Sequence, residues 1–163
     1  MPVFITATIA DIPCIRKIAQ EAFPATYSSI ISPSQIEYMM EWMYSEQTLR
    51  DELSGDVRFL LMEQDGEAVG YVSFGPEGEE GLFHLHKLYL LPSVQGRGYG
   101  RQLFGAAEDG MRKLGAKAFE LNVNRHNKAL DFYLHMGMSI ERSGDFDIGG
   151  GFFMNDYILR KAL

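Results

Sequence analysis

Gln95-Gly96-Arg97-Gly98-Tyr99-Gly100 is the stretch of this sequence best suited to hold an anion. It lies between an apolar, strand-like run and an amphipathic, helix-like one. The unpaired backbone N–H groups of a helix start converge at such a turn, and glycine lets a phosphate approach the main chain closely. Spacing excludes two familiar phosphate loops. A dinucleotide-binding G-x-G-x-x-G needs glycine at Arg101 or Leu103, and a nucleoside-triphosphatase loop needs G-K-S/T, a tripeptide this chain lacks. Just upstream stands His84-Leu85-His86. Strand alternation places His84, His86, Leu88 and Leu90 on one face, with Lys87 and Tyr89 on the other. An imidazole with an unperturbed pKa of about 6.5 exchanges protons at neutral pH. Hydrogen-bonded packing is the plainer role for both histidines. No metal is expected, because no Cys or further His lies nearby in sequence to complete a ligand set.

The elements that must position these residues follow from periodicity and punctuation. Residues 3–7 read as a strand. Thr8 and Asp11 form a capping pair that opens a helix to about Phe23, with Ile12, Ile15, Ile18, Ala19 and Phe23 on its buried face. Pro33 suits a first helical turn, and Ile36, Met39, Met40 and Met43 recur at helical spacing to about Tyr44. Such a Met stripe either fills a core or, beside Trp42, offers a docking surface. A short helix follows through Leu49 and Leu53. Residues 57–64 and 67–74 flank Asp65-Gly66, a two-residue hairpin signal, and a longer strand spans about 81–91 before Pro92. A helix runs from about Gly98 to Gly115, a strand over about 118–123, and a helix from its Asn127 cap to Gly137. A last hairpin, 138–146 and 152–161, turns through Gly149-Gly150-Gly151. This order predicts an α/β (α+β mixed) fold. Its mixed, mostly antiparallel sheet is covered by helices on both faces, and the strands ending near Leu91 and Val123 form the local parallel pair.

Composition bounds the rest. A chain of 163 residues with 46% hydrophobic and 23% charged residues suits one domain, 1–163, and excludes extended disorder. A lone Cys14, the absence of a basic, apolar leader and the lack of any apolar run near the roughly 18 residues of a membrane span predict a reducing, cytoplasmic setting and no membrane partner. The net charge of -7 argues against nucleic acid as a partner. Charge is nevertheless divided: residues 87–128 carry +5 and the remainder -12, which is either an arrangement for a local anionic ligand in a protein whose other surface favours cations or charge scattered over a solvated surface.

Gln95, Gly98 and Gly100 match every fixed position of [R/Q]-x-x-G-x-[G/A], and two further blocks follow at matching spacing, Leu121-x-Val123-x-x-x-Asn127-x-Ala129 and Phe132-Tyr133-x-x-x-Gly137-Met138. In these features the chain resembles the GNAT family of acyl-CoA-dependent N-acetyltransferases. Met138 departs from the family's usual Phe. The resemblance implies a GNAT-like fold of about seven strands with a splayed central parallel pair. It also implies acetyl-CoA as cosubstrate, lying in the splay. Leu88, Tyr89 and Leu90 would pair with the pantetheine amides like an added strand, and Gln95, Gly96, Arg97, Gly98, Tyr99 and Gly100 would hold the pyrophosphate. Asn124 and Asn127 would also bind the cosubstrate, and Arg125 and Lys128 would lie on the facing segment, either near it or as exposed solubilising charges. Backbone pairing of that kind tolerates any apolar side chain.

The same resemblance implies acetyl transfer to a primary amine by direct attack in a ternary complex. A free ammonium, with a pKa of about 10.4, must first lose a proton. His84 falls where the histone-acetylating branch has a glutamate base, and His86 is the alternative. The Leu90 N–H suits the oxyanion, and Tyr133 matches the usual general acid that protonates the departing sulfur, although its spacing with Ala129 and Leu130 also suits a core aromatic. Cys14 is remote from the motif, so no acyl-cysteine is expected. The acidic segment 23–55, with Tyr27, Tyr38, Trp42 and Tyr44, would attract a cationic small-molecule amine such as the polyamine spermidine. Phe23-Pro24-x-x-Tyr27 and the run 84–89 resemble bacterial polyamine acetyltransferases. Peptide N-termini, aminoglycosides and amino acids are the alternative acceptors. Dimers are common in the family, so a homodimer is one expected assembly. Two other classes stand beside the enzyme: a non-catalytic acyl-CoA sensor, and a helix-groove interaction protein built on Met39, Met40, Trp42 and Met43.

Overall fold

The chain, described over residues 1–163 as a computed structural model, opens with strand β1 (Val3–Thr6) and helices α1 (Ile12–Tyr27), α2 (Pro33–Tyr44) and α3 (Glu46–Ser54). Then come β2 (Arg58–Gln64), β3 (Glu67–Pro76), β4 (Leu82–Leu90), α4 (Tyr99–Lys113), β5 (Ala118–Asn124) and α5 (Ala129–His135). The hairpin β6 (Ser139–Gly149) and β7 (Phe152–Ala162) ends the chain. All seven strands join one sheet in the order β1-β2-β3-β4-β5-β7-β6, and only β4 and β5 run parallel. No helix is long and apolar enough to cross a membrane.

Local chemistry explains most boundaries. Asp65 (φ 53°) and Gly66 (φ 82°) are both left-handed, the conformation that a twisted two-residue hairpin requires. Ser32 and Ser45 cap α2 and α3 by accepting from the amides of Gln35 and Thr48, each at 3.1 Å. Asn127 accepts from the Ala129 amide at 2.9 Å and so starts α5. The Thr8–Asp11 pair caps a short 3-10 turn ahead of α1 rather than α1 itself.

Helix α1 continues four residues beyond the expected stop at Phe23, with Pro24 inside it. Proline removes the donor that would reach the Gln20 carbonyl, and Gln20 is on the exposed side, where water can serve instead. Ser28 N–H still bonds the Pro24 carbonyl at 2.9 Å, and the Thr26 hydroxyl donates to Ala22 at 3.0 Å. The extra turn carries Tyr27.

Two apolar cores cover the two sheet faces. Leu103, Phe104, Ala107 and Met111 of α4, with Tyr133 of α5, pack on Val72, Phe74, Leu85, Phe119 and Leu121. Ile15, Ile18 and Phe23 of α1, with Met39, Tyr44 and Leu49, pack on Phe59, Leu61 and Tyr71. Of the methionine stripe only Met39 is fully buried, and Trp42 is exposed. A docking surface built on Met39 is therefore not available.

Alternation along β4 does not hold. Phe74 pairs with Leu85 while its neighbour Ser73 pairs with Lys87, so His86 is the extra residue of a bulge. Phe83 and Leu85 before the bulge, and Leu88 and Leu90 beyond it, pack toward α4. His84 and Lys87 therefore share the opposite face with Tyr89, and the uniform face of His84, His86, Leu88 and Leu90 is replaced by a change of phase at His86.

Candidate active site

The parallel strands β4 and β5 pair only at Leu82–Ala118, Phe83–Phe119 and His84–Glu120. Beyond those rungs β4 keeps its bonds to β3, with Leu88, Tyr89 and Leu90 opposite Val72, Tyr71 and Gly70, while β5 keeps its bonds to β7. The facing edges of β4 and β5 have no strand between them. The split widens into a cavity of about 640 Å³ walled by Leu88, Tyr89, Leu90, Leu121, Asn122 and Val123, with Gln95, Gly100, Asn127 and Tyr133 at its ends and sides. A molecule with amides of its own fits along the free β4 edge.

At one end of this split the glycine turn leads into α4. Gly98 (φ 79°) is the N-cap, held left-handed, and a β-carbon there or at Gly96 (φ 80°) would meet nothing within 4 Å. The glycines therefore serve conformation rather than close packing, and the space beside them is open. Gln102 N–H bonds the Gly98 carbonyl at 3.3 Å, which leaves the preceding amides as the donors a helix start presents to an anion. The exposed Arg97 and Arg101 stand on this turn. The fit to a pyrophosphate-bearing, amide-containing ligand is thus good at both ends.

The basic segment read in the sequence is not one patch. Lys87 is buried: its ammonium lies 2.7 Å from Glu52 Oε1 and 3.1 Å from the Met43 carbonyl, over the rings of Tyr44 and Phe59. Arg125 is held by Asp145 at 2.6 Å. Asn124 is buried, and its side-chain Oδ1 accepts from the His126 amide at 2.9 Å, so its side chain shapes the turn after β5.

Tyr133 is buried on the α4 side and lines the cavity. Burial, with Tyr27 adding to it, raises its phenol above the usual tyrosine range, so it stays protonated as a proton donor must. On the opposite side Tyr27 projects from the last turn of α1 beside Tyr89 and Asn127, and burial raises its phenol too. The two histidines sit side by side, ring centroids 4.9 Å apart, with different neighbours. His84 Nδ1 lies 2.6 Å from Glu77 Oε2, and desolvation lowers its pKa against the pull of that carboxylate. His86 alone of the pair lines the cavity; desolvation and then His84 lower its pKa to about 4, so it is neutral at pH 7.

The acidic, aromatic segment is divided as well. Tyr44 is core, its hydroxyl bonded to that of Tyr71 at 2.5 Å. Tyr38 and Trp42 lie outside, ring centroids 6.5 Å apart, and with Ser34, Glu37 and Glu41 they line a shallow groove. The Tyr38 hydroxyl donates to the Ile148 carbonyl at 2.7 Å and Gln35 to the Phe153 carbonyl at 2.7 Å, fastening α2 to the β6–β7 hairpin. Sequence reasoning missed Asn122 and Asp156. They meet only through the β5–β7 register, and no local spacing announces them.

The model of the acetyltransferase (GNAT) family matches residues 14–138. A spermidine N(1)-acetyltransferase of Thermoplasma acidophilum is 27% identical, the match covering 86% of this chain and 89% of that protein. An uncharacterized N-acetyltransferase of Lactobacillus delbrueckii subsp. lactis is 29% identical across 94% of this chain and 92% of its own length. Among solved structures, the PaiA N-acetyltransferase of T. acidophilum in complex with coenzyme A is similar with a TM-score of 0.85 and 26% identity, covering 100% of this chain and 99% of that one.

Proposed function

Because the chain belongs to the acetyltransferase (GNAT) family and transfers an acetyl group from acetyl-CoA, we propose that its acceptor is a cationic primary amine of the polyamine class, attacking directly in a ternary complex. The observation that carries the transfer reading is the strand split after His84 and Glu120, with the glycine turn at one end and Tyr133 on its wall. The acceptor reading is supported by the groove of Tyr38, Trp42, Glu37 and Glu41, whose aromatic faces and carboxylates suit a chain of ammonium groups, and by the similarity to a spermidine N(1)-acetyltransferase.

Each residue then has a task. The free edge of Leu88, Tyr89 and Leu90 pairs with the cosubstrate's amides, and the residues from Gln95 to Gly100 hold its pyrophosphate, with Arg97 and Arg101 adding charge. Asn127 positions α5, and Asn124 fixes the turn before it. Tyr133 gives its proton to the departing sulfur. His86, neutral and open to the cavity, takes the proton that the nitrogen must lose once it is bonded to the acetyl carbon, and His84 holds the ring beside it. Free thiol released from acetyl-CoA, followed across spermidine, spermine, lysine and peptide N-termini, tests the reading. Release with spermidine above the other amines supports it. Coenzyme A binding without transfer to any amine would leave only the sensor.

A further inference from the structure

Asp156 is a buried carboxylate that the steps above do not use. It stands on β7 opposite Asn124 of β5 and Gly144 of β6. Alternation along β5 puts Glu120, Asn122 and Asn124 on the sheet face it shares, the same face as His84. Its Oδ2 accepts from Asn122 Nδ2 at 3.3 Å, and Asn122 lines the cavity. Its Oδ1 is sealed from solvent and has no hydrogen-bond partner. Glu120, equally buried, is instead gripped by Arg142 at 3.2 Å and Arg160 at 3.3 Å.

A carboxylate oxygen left unpaired in the interior is costly, and Asp156, which stands one hydrogen bond behind the cavity wall at Asn122, calls for a donor that arrives with the ligand. The groups that face Asp156 are few: Asn122 of β5, Arg125 after β5, and Tyr27 of α1. Arg125 is committed to Asp145. Desolvation raises the Asp156 pKa, outweighing the lowering by Asn122 and Arg125. The carboxylate is thereby a stronger base than one in water.

We propose that Asp156 receives the first proton of the acceptor, its free Oδ1 taking it from the entering ammonium while Asn122 holds the carboxylate in place. This rests on the reading of acetyl transfer to an amine. The ammonium becomes a neutral amine and the carboxylate a carboxylic acid. The amine lone pair forms the C–N bond, the C–S bond breaks, and its electron pair stays on sulfur, which takes the Tyr133 proton. The second nitrogen proton passes to His86 and from there restores Tyr133, while the proton on Asp156 leaves to solvent. The sum is one amide, one thiol and one released proton.

The test compares Asp156→Asn with the wild type on two acceptors: spermidine, an ammonium at pH 7, and 2,2,2-trifluoroethylamine, a weakly basic amine already neutral there. The variant is expected to lose about 100-fold in kcat/KM with spermidine and less than about fivefold with the neutral amine, as removal of one general base predicts. Its coenzyme A affinity is expected to be unchanged. Equal losses with both amines, full activity, or lost coenzyme A binding would overturn the assignment. If Asp156→Asn does not fold, Asn122→Ala serves. Removing the donor that favours the charged carboxylate is expected to move the acid limb of kcat/KM to higher pH, and an unmoved limb overturns the proposal. Should the wild type release no thiol with any amine, the transfer reading itself falls, and this inference with it.

Discussion

His84 of β4 and Glu120 of β5 face each other across the last rung of the parallel pair, and the sheet divides immediately beyond them. Everything assigned to the site lies on or around that division: the free strand edge, the glycine turn, Tyr133 on one face and Tyr27 with Asp156 on the other. Four expected outcomes follow from this geometry and from the charges buried near it.

Gly98 tests the anion turn. An alanine there meets no atom within 4 Å but must hold a φ of 79°. The left-handed conformation costs an L-residue about 1–2 kcal/mol. Gly98→Ala should therefore fold, and should bind coenzyme A about tenfold more weakly if the turn relaxes out of its cradle. Calorimetric titration measures this, and unaltered affinity would remove the turn from the binding site.

Tyr133→Phe separates binding from chemistry. The variant fills the same space, so the coenzyme A affinity should hold while kcat drops about 100-fold, the scale of a lost general acid. Because burial raises the wild-type phenol above its ordinary value, no basic limb from Tyr133 should appear below about pH 10. A rate that falls between pH 8 and 9 in the wild type but not in Tyr133→Phe would contradict the assignment.

His86 makes a prediction about acid. Its folded pKa of about 4 lies below the unfolded value of about 6.5, so the unfolded chain takes up the proton first. The stability contributed by the neutral ring is present above about pH 6.5 and is lost as pH falls toward about 4. The thermal midpoint should decline over that window, and His86→Gln should flatten the decline. Parallel curves for the two proteins would rule out His86 as the source.

Lys87 and Glu52 form the buried pair that fastens β4 to α3. Glu52→Gln strands an ammonium in the core, a change that costs about 3–5 kcal/mol when one partner of a buried pair is removed. Desolvation holds Lys87 below its ordinary range even with Glu52 present, and Glu52 acts to raise it. Without Glu52 the lysine falls further and sheds its proton sooner as pH rises. The deficit of the variant should thus be largest near pH 7 and shrink toward pH 10, as urea titrations at several pH values can determine.

The turns and caps were legible because their causes are local. Asp65-Gly66, Gly98 and Asn127 each do their work within three residues of themselves, and each stands where the sequence puts it. The order of strands and helices likewise gave the local parallel pair. The bulge at His86 was not legible, since it is defined by Ser73 and Phe74 on another strand. The same holds for Asp156, whose neighbours Asn122 and Tyr27 are 34 and 129 positions away. The last turn of α1, beyond the expected end at about Phe23, was not legible either, since the helix continues through Pro24 with the Gln20 carbonyl on its exposed side.

The three rungs from Leu82 to His84 have a mechanical meaning. With the Lys117 and Ala118 amides that donate to the Gly81 carbonyl just before them, they are the main-chain suture between a four-strand leaf and a three-strand leaf, and the helices α4 and α5 are bolted across the back of the seam. A molecule lying in the split acts as a splint for both leaves. Heat or a protease should find the empty protein weakest along that line, and the tightest-binding cosubstrate should also be the one that most stiffens the fold.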